Sequence, residues 1–436
     1  MVLPNTKVYI AFDLSAQGAE YFTLDDAVKG LLDNTIYTLP GETFVEVPFV
    51  KSVSITRGKS RELDGYQAGQ ATVVFDNSNR SYDPYYSGSL YPNQIVPKKK
   101  IQIISNDNIL FTGIIDDWNY SYDVSGQSEA SVICSDGFAY FANLYLEEYT
   151  NSVELSSERL NTVLNKSEVN YPVANRLIDT GNEFLKADLV AQGTNVLSYL
   201  QLVTQSENAN LFMSGENNLV FDNSNLFLFP DLLVKFTDDN SIDSIPYQEI
   251  EVIYGTENLY NRISISNANG EVQVAEDITS QNVYGISTFS QDNLLLADDL
   301  DANRLANRIL QFNKDPELRI NSVSVMLNDL SETQQSALTN TELTDTTRIL
   351  FTPNQIGSSI DRFVEVIGIA HQIDPETHRI KFTFKAIIDN PFILDNTTYG
   401  RLAIYAPASY DDSSYAYDSS SALYDSAITI GYKLGY

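Results

Sequence analysis

The chain has 436 residues and carries 27 Lys plus Arg against 58 Asp plus Glu, a formal charge of −31. Hydrophobic residues make up 43% and aromatics 11%, enough to bury a core, which excludes whole-chain disorder. That charge argues against gripping phosphate backbones, and the single Cys, Cys134, excludes an intrachain disulfide and argues against a thiolate zinc site.

The start, Met1-Val2-Leu3-Pro4-Asn5-Thr6-Lys7, lacks a basic region followed by a long apolar run, so no cleaved signal is expected. Alternating apolar and polar residues then predict strands at 52–56, 71–75 and 101–104, and the more continuous run at 109–115 predicts a further strand. Two amphipathic helices follow. The first covers about 157–165, with Leu160, Val163 and Leu164 on one face. The second covers about 195–207, with Thr194 as N-cap and Val196, Leu197, Leu200 and Val203 as its stripe. The most apolar stretch, 226–234, is too short to span a bilayer and holds Pro230 and Asp231. No membrane span is expected.

A third helix starts near Asp298 and runs to about 312. It carries Ala302, Leu305, Ala306, Ile309 and Leu310 at helical spacing, with Asp298, Asp299 and Asp301 at its positive end. The clearest alternation, 379–386, follows the turn-forming Asp374-Pro375-Glu376-Thr377. With 363–369 before that turn, it predicts a β-hairpin. In the last forty residues a Tyr-Asp step recurs at a spacing of seven, at Tyr410, Tyr417 and Tyr424. Leu is scarce there, so this is a polar arm rather than a coiled coil. Its plainer reading is a surface tail; its sharper reading is a docking arm with periodic Tyr side chains.

Catalytic and ligand motifs are few. There is no phosphate-cradling Gly-x-x-x-x-Gly-Lys loop, no His-Glu-x-x-His helix and no Gly-x-Ser-x-Gly elbow. The best oxygen-ligand cluster, Asp238-Asp239-Asn240-Ser241-Ile242-Asp243, is a calcium candidate without EF-hand spacing, and reads as a solvated loop. Asp116-Asp117-Trp118 sets an acidic pair beside the only Trp, the raw material of a sugar site or of a glycosidase. His371 and His378, the only two His, flank the hairpin turn and make a poor metal site by themselves. Cys134 reads as a small core residue. No cofactor is expected. Basic residues concentrate between 48 and 105, and Lys98, Lys99 and Lys100 are the candidate subunit interface, suited to an acidic surface of a neighbouring copy.

One block is recognisable. Ser54-Ile55-Thr56-Arg57-Gly58-Lys59-Ser60-Arg61-Glu62-Leu63-Asp64 runs into Gln67-Ala68-Gly69-Gln70-Ala71-Thr72-Val73, then Asp76-Asn77, Arg80, Tyr82-Asp83-Pro84, Ile95-Val96-Pro97 and Leu110-Phe111-Thr112-Gly113. This resembles the N-terminal β domain of minor tail proteins of long-tailed bacteriophages, the tail-hub or tail-associated family. Shorter matches continue at Arg176-Leu177-Ile178-Asp179-Thr180-Gly181, Ile245-Pro246-Tyr247, Ala302-Asn303-Arg304-Leu305-Ala306 and Pro316-Glu317-Leu318-Arg319, so the likeness covers about 20–330.

The resemblance implies a mainly β chain: two β-barrel-like domains of tail-tube type, with an inserted α+β segment. The expected division is an N-terminal arm and first barrel at 1–148, an α+β domain at 149–236, a second β-rich domain at 237–395 and a Tyr/Asp/Ser-rich arm at 396–436. It implies a baseplate-hub-like structural virion protein, assembled in the host cytoplasm and placed at the distal tip of the tail. A homotrimer would present six barrels around one axis, meeting the tail tube or distal tail protein on one side and a spike or fibre on the other. DNA would pass through without specific binding. No enzymatic role is expected. Within the virion the alternative is the hexameric distal tail protein; outside that class it is a carbohydrate-binding adhesin.

Overall fold

Apolar side chains at every second position build the sheet that dominates the chain. The structure, a computed structural model, describes residues 4–12, 43–223, 234–238 and 244–387. The N-terminal part supplies β1 (Thr6–Phe12), β2 (Thr43–Glu46), β3 (Val50–Gly58), β4 (Gln67–Asp76), β5 (Lys100–Ser105), β6 (Asn108–Tyr122) and β7 (Ser128–Ser135). They pair antiparallel in the order β3-β4-β7-β6-β5-β1-β2. Val53, Ile55, Val73, Phe75, Val132 and Cys134 alternate onto one buried face, where Tyr82 and Tyr91 close over them.

Next come α1 (Gly137–Ala142), α2 (Ser156–Leu164), α3 (Val196–Glu207), β8 (Asn210–Met213) and β9 (Leu219–Asp222). Then follow β10 (Val234–Thr237), β11 (Glu249–Tyr254), β12 (Arg262–Asn267), β13 (Gln273–Glu276), α4 (Ile278–Tyr284), β14 (Thr288–Leu294) and α5 (Asp299–Asn313). The last described elements are β15 (Leu318–Met326), α6 (Glu332–Asn340), β16 (Thr346–Phe351), β17 (Ile360–Asp374) and β18 (Thr377–Ala386).

The expected hairpin is present and longer than its alternation suggests. β17 has 15 residues, a reach of about 50 Å at strand rise. Along one edge, residues 360–365 pair with β16 and residues 368–373 pair with β3. β18 lines the other edge and passes the ladder on to β15 and β11. This one strand fuses both β regions into a single 14-stranded sheet. Two barrels were expected; among the described residues no strand pair closes the sheet into a barrel.

Among the described residues, buried apolar side chains form three clusters. One lies under β1–β7. A second joins α1–α3 to β10 and β15–β18. A third packs Ile263, Ile265 and Ala275 of β12 and β13 against Ala302, Leu305, Ala306 and Ile309 of α5. Each predicted helix exists, with one corrected cap. Asn195, not Thr194, caps α3, its Oδ1 accepting from Ser198 N at 3.1 Å. Thr194 is held in a short strand opposite Leu146, and its hydroxyl donates to Ala191 O at 2.7 Å. Among the described residues no helix is long and apolar enough to cross a membrane.

Candidate functional site

The basic stretch and the acidic pair, read separately in the sequence, meet in space. Asp116 is the extra residue of a β-bulge, since Ile115 faces Cys134 and Asp117 already faces Ile133. The bulge turns Asp116 toward Lys98, whose Nζ lies 2.7 Å from Oδ1, while Ser135 Oγ donates to Oδ2 at 2.5 Å. Lys98 itself sits at φ +68°. Its N–H donates to Ile115 O at 2.7 Å, and Ile115 N donates to Lys99 O at 2.8 Å. Lys100 opens β5 opposite Ile114. Both oxygens of Asp116 are therefore engaged, and Asp117 is exposed one position on. Trp118 donates from Nε1 to Val96 O at 3.2 Å and stacks between Phe75 and Tyr120. The pair is not set out as two carboxylates facing each other across a groove.

Beside this corner lies a feature that the sequence reading missed. The solvent face of β17, β3, β4 and β7 carries Ala370 and Gln372, Ser54 and Thr56, Gln70 and Thr72, then Ser131 and Ile133, aligned by cross-strand register. None of these side chains ionises. On one flank Arg379 and Lys381 of β18 each lie 3.8 Å from a carboxylate, Glu249 and Glu251 of β11. On the other flank lies the Lys98–Asp116 pair. In a chain of net charge −31, this is a neutral, small-residue surface, bordered by the paired Arg379 and Lys381 on one side and by the Lys98–Asp116 pair and the exposed Asp117, opposite Ile133, on the other. The signal was the run of Ser, Thr and Gln at alternate positions of β3 and β4.

His371 and His378 do face each other. Nδ1 of His371 and Nε2 of His378 are 3.1 Å apart, and both rings are buried. Burial, then His378 and Arg57, push the His371 imidazole well below its ordinary range; burial pushes His378 down to about 4. Both are neutral at pH 7 and share one hydrogen bond. Cys134 is buried, and burial with Asp116 nearby raises its thiol far above the usual range. It is an inert core residue. Asp238 Oδ2 accepts from Thr352 N at 2.8 Å and Gln355 Nε2 at 3.0 Å. The rest of that acidic cluster, and the Tyr-Asp steps, lie outside the described residues. Among the described residues no group of three or more His, Cys, Asp or Glu is placed to hold a metal.

The recognisable block is a structural joint. Arg57 is 6% exposed and donates to Met213 O at 3.0 Å and Glu342 Oε1 at 2.6 Å, tying β3 to the end of β8 and to the loop before β16. Glu342 Oε2 accepts in turn from Gly215 N at 2.8 Å. Gly58 has φ +100°, and a Cβ there would stand 2.3 Å from Ile367 O. At Gly69 a Cβ would stand 2.7 Å from Asp136 Oδ2, which takes the Gly69 N–H at 2.6 Å. These glycines allow a close approach that a side chain would block.

No protein-family model matches the chain, and no curated protein matches it in sequence. Solved structures do match in fold. The crystal structure of the prophage MuSo2 43 kDa tail protein from Shewanella oneidensis aligns over 88% of this chain and 98% of that one, with a TM-score of 0.57 and 11% identity. The tail protein from Neisseria meningitidis MC58 aligns over 87% and 96%, with a TM-score of 0.55 and 11% identity. This mainly β chain thus has the fold of phage tail proteins, the class that its residues resemble.

Proposed function

We propose that the chain is a structural protein of a bacteriophage tail, the hub at its distal end. The observation that carries this is the fold likeness to a tail protein over nearly the full length of both chains. As a hub it forms a ring that continues or closes the tail tube and links it to a spike or fibre, with three copies as the preferred count. Its division at about 148, 236 and 395 is part of the same proposal. So is a non-enzymatic role at the tail tip after assembly in the host cytoplasm.

The neutral sheet face supports a place along the path of DNA. The four strands add no Lys or Arg of their own, and Arg379 and Lys381 of β18 beside them face Glu249 and Glu251, so the wall adds few counterion-releasing phosphate contacts and DNA is not retained. Lys98, Lys99 and Lys100 are the proposed contact with a neighbouring copy. The Lys98–Asp116 pair is 70% and 30% exposed at its side chains, so it is worth little as it stands and can be exchanged for an intersubunit pair. A glycan array and a hydrolysis assay on host envelope sugars separate the rivals. A hub gives neither signal, an adhesin binds, and an enzyme turns its substrate over. Six-membered rings of the purified chain in electron micrographs would favour the distal tail protein.

A further inference from the structure

Four parts of the chain converge on one cleft of about 100 Å³. Its walls are the loop between β3 and β4, the last turns of α3, Gln291 of β14 and Lys385 of β18. Two ammonium groups line it. Lys385 lies 3.6 Å from Glu365. Lys59 donates to the Glu62 carbonyl at 2.8 Å and sits 4.7 Å from the centre of the Tyr66 ring. Among the described residues no carboxylate forms an ion pair with it. Burial, and then the charge of Lys385, lower the Lys59 amine to about 8. One donor among the lining residues lacks a partner, the hydroxyl of Tyr66, a residue 4% exposed. Opposing charge is present, first from Glu365, which Lys385 engages, and then from Glu62 and Asp64. Glu62 accepts from Asn258 Nδ2 at 3.3 Å, toward the neighbouring recess, and Asp64 is exposed at the rim, where salt screens it.

We propose that this cleft is a carboxylate-binding site that takes an acidic side chain of a polypeptide partner, with Lys59 as its principal cation. A carboxylate supplies the direct ion-pair partner that Lys59 lacks and an acceptor for the Tyr66 hydroxyl. Gln201 and Gln205 of α3 add amide donors on the same wall. The volume suits one such group and not a folded ligand. The proposal stands on the cleft alone, so it can fail while the tail reading holds, and the reverse.

The test uses the whole chain with its lysines reductively ¹³C-methylated, the Lys59 resonance being assigned from Lys59→Arg. The probe is N-acetyl-glutamate amide, with N-acetyl-glutamine amide as the uncharged control and inorganic phosphate as the other oxyanion, all at fixed ionic strength. The expected result is a saturable rise in the Lys59 titration midpoint of about one pH unit, a tenfold preference for the charged amine. It is absent with the glutamine probe, absent at Lys98 and lost in Lys385→Met, whose melting temperature shows that it folds. No saturable change overturns the proposal. A response to phosphate but not to the glutamate probe overturns the carboxylate assignment.

Discussion

Replacing Arg159 with Met should open the segment built on α2 and α3 before the rest of the molecule. Arg159 is fully buried, and all five of its N–H groups are used. Nε donates to Glu154 at 2.5 Å, Nη1 to Asp188 at 2.8 Å and Tyr199 at 3.0 Å, and Nη2 to the carbonyls of Ser152 at 2.8 Å and Lys186 at 2.9 Å. Glu154 and Asp188 are each only 15% exposed at the side chain. Methionine fills much of the volume but strands both carboxylates. Removing one partner of a buried ion pair costs about 3–5 kcal/mol, a large part of the roughly 5–15 kcal/mol that holds a typical domain. Hydrogen exchange read peptide by peptide is the assay. At tenfold per 1.4 kcal/mol, exchange in 156–164 and 196–207 should accelerate by about a hundredfold to a few thousandfold, while β3 and β4 stay protected. The triple change Arg159→Met, Glu154→Gln, Asp188→Asn should recover about 2 kcal/mol, because no unpaired charge remains. Unchanged exchange in Arg159→Met, or a triple variant no better than the single one, would refute the reasoning.

Gly58→Ala should cost at least about 2 kcal/mol in denaturant unfolding, from its φ of +100° and its contact with Ile367 O. Gly65→Ala, where a Cβ meets nothing within 4 Å, should stay within about 0.5 kcal/mol; equal effects would contradict the close-approach account. The His pair sets an acid limb. Folding holds His378 near 4 against an ordinary 6.5, so the unfolded chain binds more protons between those values and stability falls as pH drops through that window. At about 1.4 kcal/mol per pH unit, the wild type should lose at least about 3 kcal/mol more than His371→Phe/His378→Phe. Asp136 and Asp345, raised by burial to about 6, act with the opposite sign and are common to both proteins. Parallel pH profiles would rule the pair out as the cause. Fluorescence anisotropy with duplex DNA should show no binding at physiological salt, and tight, salt-sensitive binding would contradict the neutral passage.

Much of this was legible where one physical rule acted locally. The hairpin of β17 and β18 was visible because Ile380, Phe382 and Phe384 alternate strictly with Arg379, Lys381 and Lys385. The strand at 363–369 was also visible, but not the full reach of β17 from Ile360 or the strands it joins. A bulge between Val366 and Gly368 breaks its period, so Val364, Val366, Ile367 and Ile369 show no single face, and the pairing that fuses the two β regions was hidden. The Lys98–Asp116 contact depends on another bulge. Thr194 and Asn195 are both competent caps and both lie in the short strand; what separates them is that Asn195 Oδ1 takes Ser198 N while the Thr194 hydroxyl is spent on Ala191 O. Arg159 carries no local signal, because its carboxylate partners come from positions 154 and 188. The cleft around Lys59 is likewise assembled from parts distant in sequence.

The central claim is the place of this chain in a tail tip, and a cryo-electron microscopy reconstruction of the virion tip tests it most directly. The account predicts three copies around the tail axis between tube and spike, with the face of Ser54, Thr56, Gln70 and Thr72 turned to the passage and Lys98–Lys100 at the contact between copies. Six copies in one ring, a passage lined mainly by Lys and Arg, or a tip without this chain would contradict it.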